Sequence, residues 1–255
     1  MFVEERHEKI LQLLHENGKI KVKELSEMFQ VTEDCIRKDL AGMEKQNLLK
    51  RTYGGAVERE NLHPGHSQIV SSRKSVNLNE KQKIAKKAVK LLKDGDVIFL
   101  DISTTNIELA KEIIKSGMRV TVVSCMLDIA NIFATGAEAE FIMLGGAFNR
   151  SQSGFLGSMT LKMMEPFRFD KCFMGVVGMD MEEKTVMTYV PEDAGIKQGA
   201  VERSRQVYLV METEKFGFRA NYVYANFSDV SGVICETLPA EEIQKVLKEN
   251  QIRLI

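Results

Sequence analysis

The sequence predicts an α/β chain with two parts: a small N-terminal unit of three helices and a β-hairpin, then a larger three-layer α/β domain. Three observations carry this prediction. Apolar residues recur at helical spacing over roughly the first 45 residues. A Gly-Gly pair then separates two short runs, as in a hairpin. From residue 79 onward, short continuous apolar runs alternate with helix-like stretches, which is typical of parallel strands buried on both faces.

Length and composition set the broad class of the protein. A chain of 255 residues with 44% hydrophobic content can bury two moderate cores. The first residues carry Glu4 and Glu5 and no long apolar run follows, so we expect a soluble cytoplasmic protein without a secretory signal or membrane span. The cysteines are far apart in sequence and lack metal-ligand spacing, so we expect reduced thiols and no zinc site. They are Cys35, Cys125, Cys172 and Cys235.

Charge is distributed unevenly along the chain. The formal net charge of −1 excludes a uniformly cationic nucleic-acid-binding protein. Residues 1–59 contain eleven Lys or Arg and eleven Asp or Glu, which is mild evidence against DNA binding by this end. Residues 59–93 contain nine basic residues and only two acidic ones. Such a run is most often a solvated helix face, although it can also attract phosphate.

The N-terminal helices follow in order. The first is predicted over residues 3–15, with a C-terminal cap at Gly18. The second follows directly, and Thr32 is a candidate N-cap for the third. Two short runs, 48–52 and 56–58, flank Tyr53-Gly54-Gly55 as a hairpin, which completes the outline of a winged helix-turn-helix. The apolar residues that define the three helices are Ile10, Leu11, Leu13, Leu14, Leu25, Met28, Phe29, Ile36, Leu40 and Met43.

The stretch "VTEDCIRKDL" contains the third helix of this unit. In a winged helix-turn-helix, the N-terminal residues of that helix enter a major groove, so Arg37 and Lys38 are candidate base or phosphate contacts. A solvated helix face is the alternative interpretation. The residues predicted to contact DNA are Thr32, Cys35, Arg37, Lys38, Lys45, Arg51, Tyr53 and Gly54.

Domain boundaries follow from composition. Residues 1–58 form the predicted DNA-binding domain. Residues 59–78 contain Pro, Gly and Ser without periodicity, which predicts a linker. Residues 79–255 form a predicted α/β domain, with the apolar runs "VIFLD", "RVTVVS", "EFIML", "KCFMGVV", "QVYLVM" and "GVICE" as strands.

Ligands of open α/β sheets bind beyond the carboxyl ends of the strands. The first run continues into "DISTTN", where Asp101, Ser103, Thr104 and Thr105 lie at a helix N-terminus suited to a phosphate. A capped helix start without a ligand explains the same pattern. No P-loop lysine follows and GxGxxG is absent, so we expect no nucleotide cofactor.

Later strand ends add further candidate ligand contacts. These are Gly145, Gly146, Arg150, Glu192, Lys197 and Lys215. Each alone is more often a surface residue, but together they favour a small anionic, hydroxylated ligand such as a sugar phosphate. All four histidines precede the α/β domain, so no histidine-based catalytic triad is available there. A carboxylate–lysine acid/base set made of Asp101, Glu192 and Lys197 keeps an isomerase-like enzyme as an alternative.

These motifs resemble the DeoR family of bacterial transcriptional regulators over nearly the whole chain. The N-terminal matches are Arg6, "CIRKDL" and "RTYGGA". The C-terminal matches are "NEKQKIAKKA", "DGDVIFLD", "LGG", "DKCFMGVVGMD" and "EKFG". The resemblance implies a winged helix-turn-helix joined to a sensor domain similar to the ribose-5-phosphate isomerase and CoA-transferase folds. In the family this domain binds phosphorylated sugars and does no chemistry.

The family's site residues can be placed on this sequence. Its phosphate loop "DSGTT" corresponds to residues 101–105, with Ser103 in place of Gly, and its "TN" corresponds to Ser124 and Cys125. Its Glu and Lys in "EEAAVK" correspond to Glu192 and Lys197, and the Lys of "DSSKFG" corresponds to Lys215. At Cys35 the family usually has Thr.

The resemblance implies a repressor of carbohydrate genes that binds operator DNA as a homodimer or tetramer and responds to a sugar phosphate. The isomerase-like enzyme stays open beside it, as does a sensor domain that serves only for oligomerisation.

Overall fold

The structure, a computed structural model, describes residues 3–17, 19–45, 48–57, 69–136 and 138–255. The chain divides into two compact units, Met1–Ser67 and Gln68–Ile255. Within the described residues, no helix combines the length and the apolar character that crossing a membrane requires.

The first unit contains three helices and a small antiparallel sheet. The helices are α1 (Val3–Asn17), α2 (Val22–Phe29) and α3 (Glu33–Lys45). The strands are β1 (Lys19–Lys21), β2 (Lys50–Thr52) and β3 (Gly55–Val57), in the order β1-β3-β2. This arrangement confirms the predicted winged helix-turn-helix. Strand β1 was not predicted, and the C-terminal cap predicted at Gly18 lies outside the described residues.

The core of the first unit is small. Its buried apolar side chains are Ile10, Leu14, Ile20, Val22, Leu25, Ile36, Leu40, Met43, Leu49 and Ala56. A buried ion pair joins α1 to α3 beside this core: Arg6 Nε lies 2.7 Å from Asp39 Oδ2. Because a domain of this size buries little apolar surface, a single buried pair contributes a large share of its stability.

The second unit is built on a parallel sheet of seven strands. Their order is β15-β14-β12-β9-β4-β5-β6. In chain order they are β4 (Val97–Leu100), β5 (Thr121–Ser124), β6 (Glu140–Met143), β9 (Phe169–Gly175), β12 (Ser204–Val210), β14 (Gly232–Ile234) and β15 (Arg253–Leu254). All six predicted runs are strands of this sheet, so the predicted parallel α/β domain is confirmed.

Helices cover the sheet in two groups. One group is α5 (Leu78–Ala88), α6 (Thr104–Ser116) and α7 (Leu127–Phe133), which pack side by side. The other contains α8 (Ser158–Met164) and α9 (Pro191–Glu202), which pack against each other. Helix α10 (Glu241–Glu249) packs beside β15.

Two small antiparallel sheets were not predicted. Strands β7 (Ala147–Asn149) and β8 (Gly154–Leu156) form a hairpin. Strands β10 (Gly178–Asp180), β11 (Thr185–Thr188) and β13 (Tyr222–Asn226) form a three-stranded sheet. These strands are short and carry polar residues, so they lack the continuous apolar runs that marked the parallel strands.

The predicted linker over residues 59–78 is wrong in its second half. Residues 70–73 form a short helix, α4 (Val70–Arg73), and Val70 is fully buried in the core of the second unit. The backbone N–H of Val70 also donates to the carbonyl of Ser151, 2.9 Å away. Serine-rich composition suggested a linker, but one buried apolar residue is enough to anchor this segment. Residues 59–68 lie outside the described residues.

Candidate functional site

The exposed side of α3 carries three of the predicted DNA contacts. Thr32 starts the helix, since its Oγ1 accepts a hydrogen bond from the backbone N–H of Cys35 at 3.2 Å. Arg37, Lys38 and Lys45 are all exposed on the helix. The structure therefore presents these cations to solvent on one element of the helix-turn-helix.

Cys35 differs from its neighbours on α3. Its side chain is half-buried, and its Sγ accepts a hydrogen bond from Arg6 Nη2 at 3.5 Å. The same guanidinium binds Asp39 through Nε at 2.7 Å and Nη2 at 3.2 Å. The thiol thus contacts a buried cation inside the unit, whereas Arg37 and Lys38 point outward.

The wing supplies the remaining predicted DNA contacts. Tyr53 is completely exposed at the tip, and Gly54 beside it has a φ of +81°, which favours glycine. Gly55 has no room for a side chain, because a Cβ there would lie 2.0 Å from the carbonyl oxygen of Ile20 in β1. Arg51 is exposed, and its backbone N–H donates to Glu44 Oε1 at 2.9 Å. The glycine pair therefore lets the hairpin close on β1 with Tyr53 projecting.

In the second unit, four buried residues form an inner cluster at the carboxyl ends of β4 and β9: Asp101, Asn106, Asp193 and Lys197. Lys197 Nζ donates to Asp101 Oδ2 and, at 2.9 Å, to the carbonyl of Gly175. Asn106 Nδ2 donates to Asp101 Oδ1 at 2.6 Å. Asp193 Oδ2 lies 3.9 Å from Lys197 Nζ.

The carboxylates of the inner cluster stabilise the charge of Lys197. Burial acts to lower the pKa of Lys197, but the carboxylates of Asp101 and Asp193 outweigh burial and raise it. Burial also raises the pKa of the Asp193 carboxyl, whose Oδ2 accepts a hydrogen bond from Thr188 at 2.8 Å. Because Lys197 stays protonated between two carboxyl groups, it is better suited to bind and position polar groups than to exchange protons.

The predicted phosphate loop, residues 101–105, lies beside the inner cluster and contributes Asp101 to it. Ser103 is the N-cap of α6, and its Oγ accepts from the backbone N–H of Thr105 at 3.2 Å. Ser103, Thr104 and Thr105 are all buried. Gly175 allows the loop to approach β9, because a Cβ there would lie 2.5 Å from Ser103 Oγ. The helix start at residue 104 is therefore capped by its own serine hydroxyl.

Ser124 and Cys125, at the end of β5, are fully buried. Ser124 Oγ accepts from the backbone N–H of Met126 at 3.1 Å, and burial raises the pKa of the Cys125 thiol well above its usual range. Both residues serve the packing of β5 against the β7–β8 hairpin, since the Cys125 carbonyl accepts from Phe155 N–H at 2.8 Å.

The glycine pair after β6 and Arg150 lie on the same side of the unit as this hairpin. Gly146 has a φ of +144°, and a Cβ there would lie 2.4 Å from Thr160 Oγ1. Gly145 is half-buried. Arg150 is exposed in the turn between β7 and β8 and forms no ion pair with another described residue. Close packing against α8 explains the need for glycine at residue 146.

An outer cluster combines three cations with one carboxylate: Arg73, Lys81, Glu212 and Lys215. Lys215 Nζ lies 2.6 Å from Glu212 Oε2, and Lys81 Nζ lies 3.8 Å from Glu212 Oε1. Lys81, Glu212 and Lys215 are each at most 5% exposed. Burial acts to raise the pKa of Glu212, but Lys215 and Lys81 outweigh burial and lower it.

Lys81 is the most perturbed of these cations. Burial lowers its pKa from 10.5 to about 8, against the attraction of Glu212 and with repulsion from Lys215 and Arg73. Its Nζ donates to two backbone carbonyls, those of Arg73, at 2.7 Å, and Val76. Lys81 therefore connects the outer cluster to the turn between α4 and α5.

Arg73, the last residue of α4, interacts electrostatically with both clusters. Its charge interacts with Asp193 and Asp101 of the inner cluster and with Glu212 of the outer one. Its buried Nε has no hydrogen-bond partner among the described residues. A buried guanidinium nitrogen without a partner is costly, and an anionic or hydroxylated ligand would satisfy it.

Of the eight residues in the two clusters, sequence analysis predicted three, assigned one carboxylate to the wrong residue and missed the other four. Glu192 is exposed on the first turn of α9, and the carboxylate that faces Lys197 is the next residue, Asp193. Arg73 and Lys81 were interpreted as part of a solvated charge run. Asn106 and Glu212 were not among the predicted ligand contacts. Asp101, Lys197 and Lys215 were predicted, and the structure brings all three to the carboxyl edge of the sheet.

The fold and these clusters define a class of protein: a winged helix-turn-helix joined to an α/β domain with buried charged residues at the carboxyl edge of its sheet. Comparison with known proteins gives the family. The model of the DeoR-like helix-turn-helix domain matches residues 6–61, and that of the DeoR C terminal sensor domain matches residues 76–237. The chain belongs to the DeoR family and is a DNA-binding transcriptional regulator.

Full-length relatives support this assignment. The HTH-type transcriptional regulator FruR of Bacillus subtilis is 31% identical over 95% of this chain and 94% of its own length. The glycerol-3-phosphate regulon repressor of Escherichia coli is 30% identical over 98% of this chain and 97% of its own. The repressor GlcR of Bacillus subtilis is 29% identical over 100% and 96%. These are names of regulators, so the predicted regulator is confirmed over the isomerase-like enzyme.

Solved structures show more distant likeness. The β subunit of eIF2B from Chaetomium thermophilum matches with a TM-score of 0.49 and 15% identity, covering 68% of this chain and 54% of that one. Ribose 5-phosphate isomerase A from Methanocaldococcus jannaschii matches with a TM-score of 0.38 and 20% identity, covering 55% of each chain.

Proposed function

We propose that the protein is a repressor of carbohydrate-metabolism genes and that a phosphorylated sugar, or a related anionic metabolite, binds its second unit and changes its affinity for operator DNA. One observation carries this proposal: Lys81 and Lys215 flank the buried carboxylate of Glu212 at a strand end, and the charge of Arg73, whose buried Nε has no hydrogen-bond partner among the described residues, acts on the same carboxylate. Cations in excess at a buried site favour an anionic ligand. Relatives named for glycerol-3-phosphate and for a lactose phosphotransferase system support the chemical class.

The two clusters suit the two ends of such a ligand. The outer cluster offers cations to a phosphate, whereas Asp101, Asp193 and Asn106 of the inner cluster offer oxygens to hydroxyl groups. Ser103, Thr104 and Thr105 lie beside them. Of the positions predicted from the family motifs, Asp101, Lys197 and Lys215 belong to these two clusters, with Asp193 in place of Glu192 as the carboxylate beside Lys197.

Regulation follows from linkage between ligand and DNA. A ligand that binds one conformation better shifts DNA affinity by the same coupling free energy. Arg73 and Lys81 are well placed to transmit it, because they hold α4, the first described element after the DNA-binding unit. We propose a DNA-binding domain over residues 1–58 and a homodimer or tetramer formed by the second unit, since two helix-turn-helix units on repeated half-sites bind more tightly than one.

Arg37→Ala tests the DNA-binding surface. We expect the variant to bind a duplex selected by the wild-type protein more weakly by about 1–3 kcal/mol if Arg37 reads a guanine, and to lose preference at that base pair. Fluorescence anisotropy on the selected duplex and on single-base variants of it measures both effects. Lys115→Ala, an exposed change on α6, is the control. Equal affinity of Arg37→Ala and wild type would remove Arg37 from the contact surface.

The pH dependence of ligand binding tests the outer cluster. A phosphate ligand prefers the charged form of Lys81. Burial lowers the pKa of Lys81 to about 8, the charges of Lys215 and Arg73 act in the same direction, and Glu212 and Glu214 oppose them. We therefore expect affinity for the best ligand in a sugar-phosphate panel to fall as pH rises through 8, approaching about tenfold per pH unit above it.

Calorimetric titration of the full chain between pH 7 and 9.5 measures this effect. Lys81→Met should bind weakly and with a flatter pH profile. A steep profile retained by Lys81→Met would exclude Lys81 as its source, and a panel in which nothing binds would contradict the proposed ligand class. The free energy of unfolding of the ligand-free protein should change with pH in the opposite direction. Between about pH 8 and pH 10.5, Lys81 binds more protons in the unfolded chain than in the folded one, so this free energy should rise with pH.

A further inference from the structure

The outward cation of α3 is held by two carboxylates of the same helix. Arg37 Nη2 lies 2.5 Å from Glu33 Oε2, and Arg37 Nη1 lies 2.6 Å from Asp34 Oδ1. The three side chains are 52%, 44% and 80% exposed, respectively. All three belong to the N-terminal turns of the helix, where a helix-turn-helix presents base-reading residues. The Arg37 guanidinium therefore lies between two negatively charged carboxylates.

This arrangement changes how α3 interacts with DNA phosphates. Binding without sequence preference depends on cations that neutralise phosphates and release counterions. Arg37 paired to two carboxylates contributes no net positive charge, and the carboxylates repel a phosphate that approaches the helix end. Contact with the backbone alone is therefore penalised at this position.

The same pairs open at low cost when a base offers better partners. Exposed ion pairs contribute little to stability, so they are easily exchanged. In the major groove, a guanine offers two hydrogen-bond acceptors to an arginine. The amino group of the paired cytosine can donate a hydrogen bond to a carboxylate. A G·C pair can therefore engage Arg37 and one of its carboxylates together, which a phosphate cannot do.

We propose that Glu33 and Asp34 are specificity-determining residues for the DNA binding of this protein. They withhold Arg37 from phosphates and release it to a guanine when the amino group of the paired cytosine donates a hydrogen bond to the freed carboxylate. This inference rests on the proposed role of Arg37 in operator recognition. Acidic residues in a first helical turn also stabilise the helix, so the test must measure base preference and salt dependence as well as stability.

The experiment is selection from a randomised duplex library by the full-length wild type, by Glu33→Gln/Asp34→Asn and by Glu112→Gln. Glu112 pairs with Lys115 on α6 at 2.7 Å, so its substitution removes a comparable helical ion pair from the other unit. We expect the double variant to select a motif with weaker preference at one or more G·C pairs, while Glu112→Gln selects the wild-type motif.

Binding to a random-sequence duplex gives the second readout. The double variant should bind it about tenfold more tightly at moderate salt, with a plot of log affinity against log salt that is steeper by about one unit, as one added phosphate contact requires. The single variant Glu33→Gln keeps Asp34 at the helix start and should show an intermediate effect even if the double variant is less stable.

An unchanged motif and unchanged affinity for random-sequence DNA in both variants would overturn the proposal. That result differs from a failure of the proposed function, in which the wild type itself would select no motif.

Discussion

Lys197→Met is expected to lower the free energy of unfolding of the second unit by about 3–5 kcal/mol. The substitution removes the cation from the inner cluster and leaves Asp101, which is 1% exposed, as a buried charge. The backbone N–H of Gly175, 2.9 Å away, and Asn106 Nδ2 still donate to Asp101, which favours the lower end of this range. Asp193 also loses its nearest cation.

Urea denaturation followed by circular dichroism measures the loss. Lys115→Met provides the matched control, because Lys115 pairs with Glu112 on the surface and its loss should cost less than about 1 kcal/mol. The double variant Asp101→Asn/Lys197→Met should recover part of the stability, since no uncompensated charge remains. A loss below 1 kcal/mol in Lys197→Met would contradict the expectation that the substitution leaves an uncompensated buried charge.

The apolar periodicity of α5 indicates that Lys81 lies on the buried face of the helix, although its charge placed it in a run interpreted as a solvated face. Lys81 lies three, four and seven residues before Ile84, Ala85 and Ala88, which are fully buried, so it belongs to the apolar face of the helix. Lys83 and Lys86 are exposed and do not share that spacing, and Lys87 is half-buried. Counting charges over a window predicted a solvated helix face, whereas assigning each lysine to a face separates the buried one from the rest.

Helical spacing does not distinguish Asp193 from Glu192, because α9 is buried over most of its circumference. Lys197 and Ala200 follow Asp193 by four and seven residues, Ile196 and Gly199 follow Glu192 by the same intervals, and all four are buried. Glu192 was preferred because it matched a motif position. Apolar runs predicted the parallel strands well, since burial on both faces requires such runs. Glu212 was not among the predicted ligand contacts, and its ion pair with Lys81 joins residues more than 130 positions apart in sequence.

Arg6→Met is expected to unfold the DNA-binding unit. Arg6 and Asp39 are 5% and 8% exposed, and the pair joins α1 to α3. Burial acts to raise the pKa of the Asp39 carboxyl, but hydrogen bonds from Arg6 and His7 outweigh burial and lower it. Without Arg6, Asp39 retains only His7, 3.3 Å away, and loss of the buried partner costs about 3–5 kcal/mol. A small helical unit has a total stability of similar size, so operator binding should be lost.

Hydrogen exchange resolved along the chain separates unfolding from the loss of a DNA contact. In Arg6→Met, amides of α1 and α3 should lose protection while those of the seven-stranded sheet keep it, and ligand binding by the second unit should persist. Lys21→Met, which removes an exposed pair with Glu24, should leave protection unchanged.

The sign of the pH dependence gives an independent check. In the wild type, the lowered pKa of Asp39 contributes stability at neutral pH that is lost as pH falls through the folded pKa. In Arg6→Met the buried carboxylate lacks its cation, so its protonation should restore stability as pH falls. Arg6→Met/Asp39→Leu should recover protection at neutral pH for the same reason, because a neutral side chain then fills the position. Full protection of α1 and α3 in Arg6→Met would show that the apolar core alone holds the three helices together.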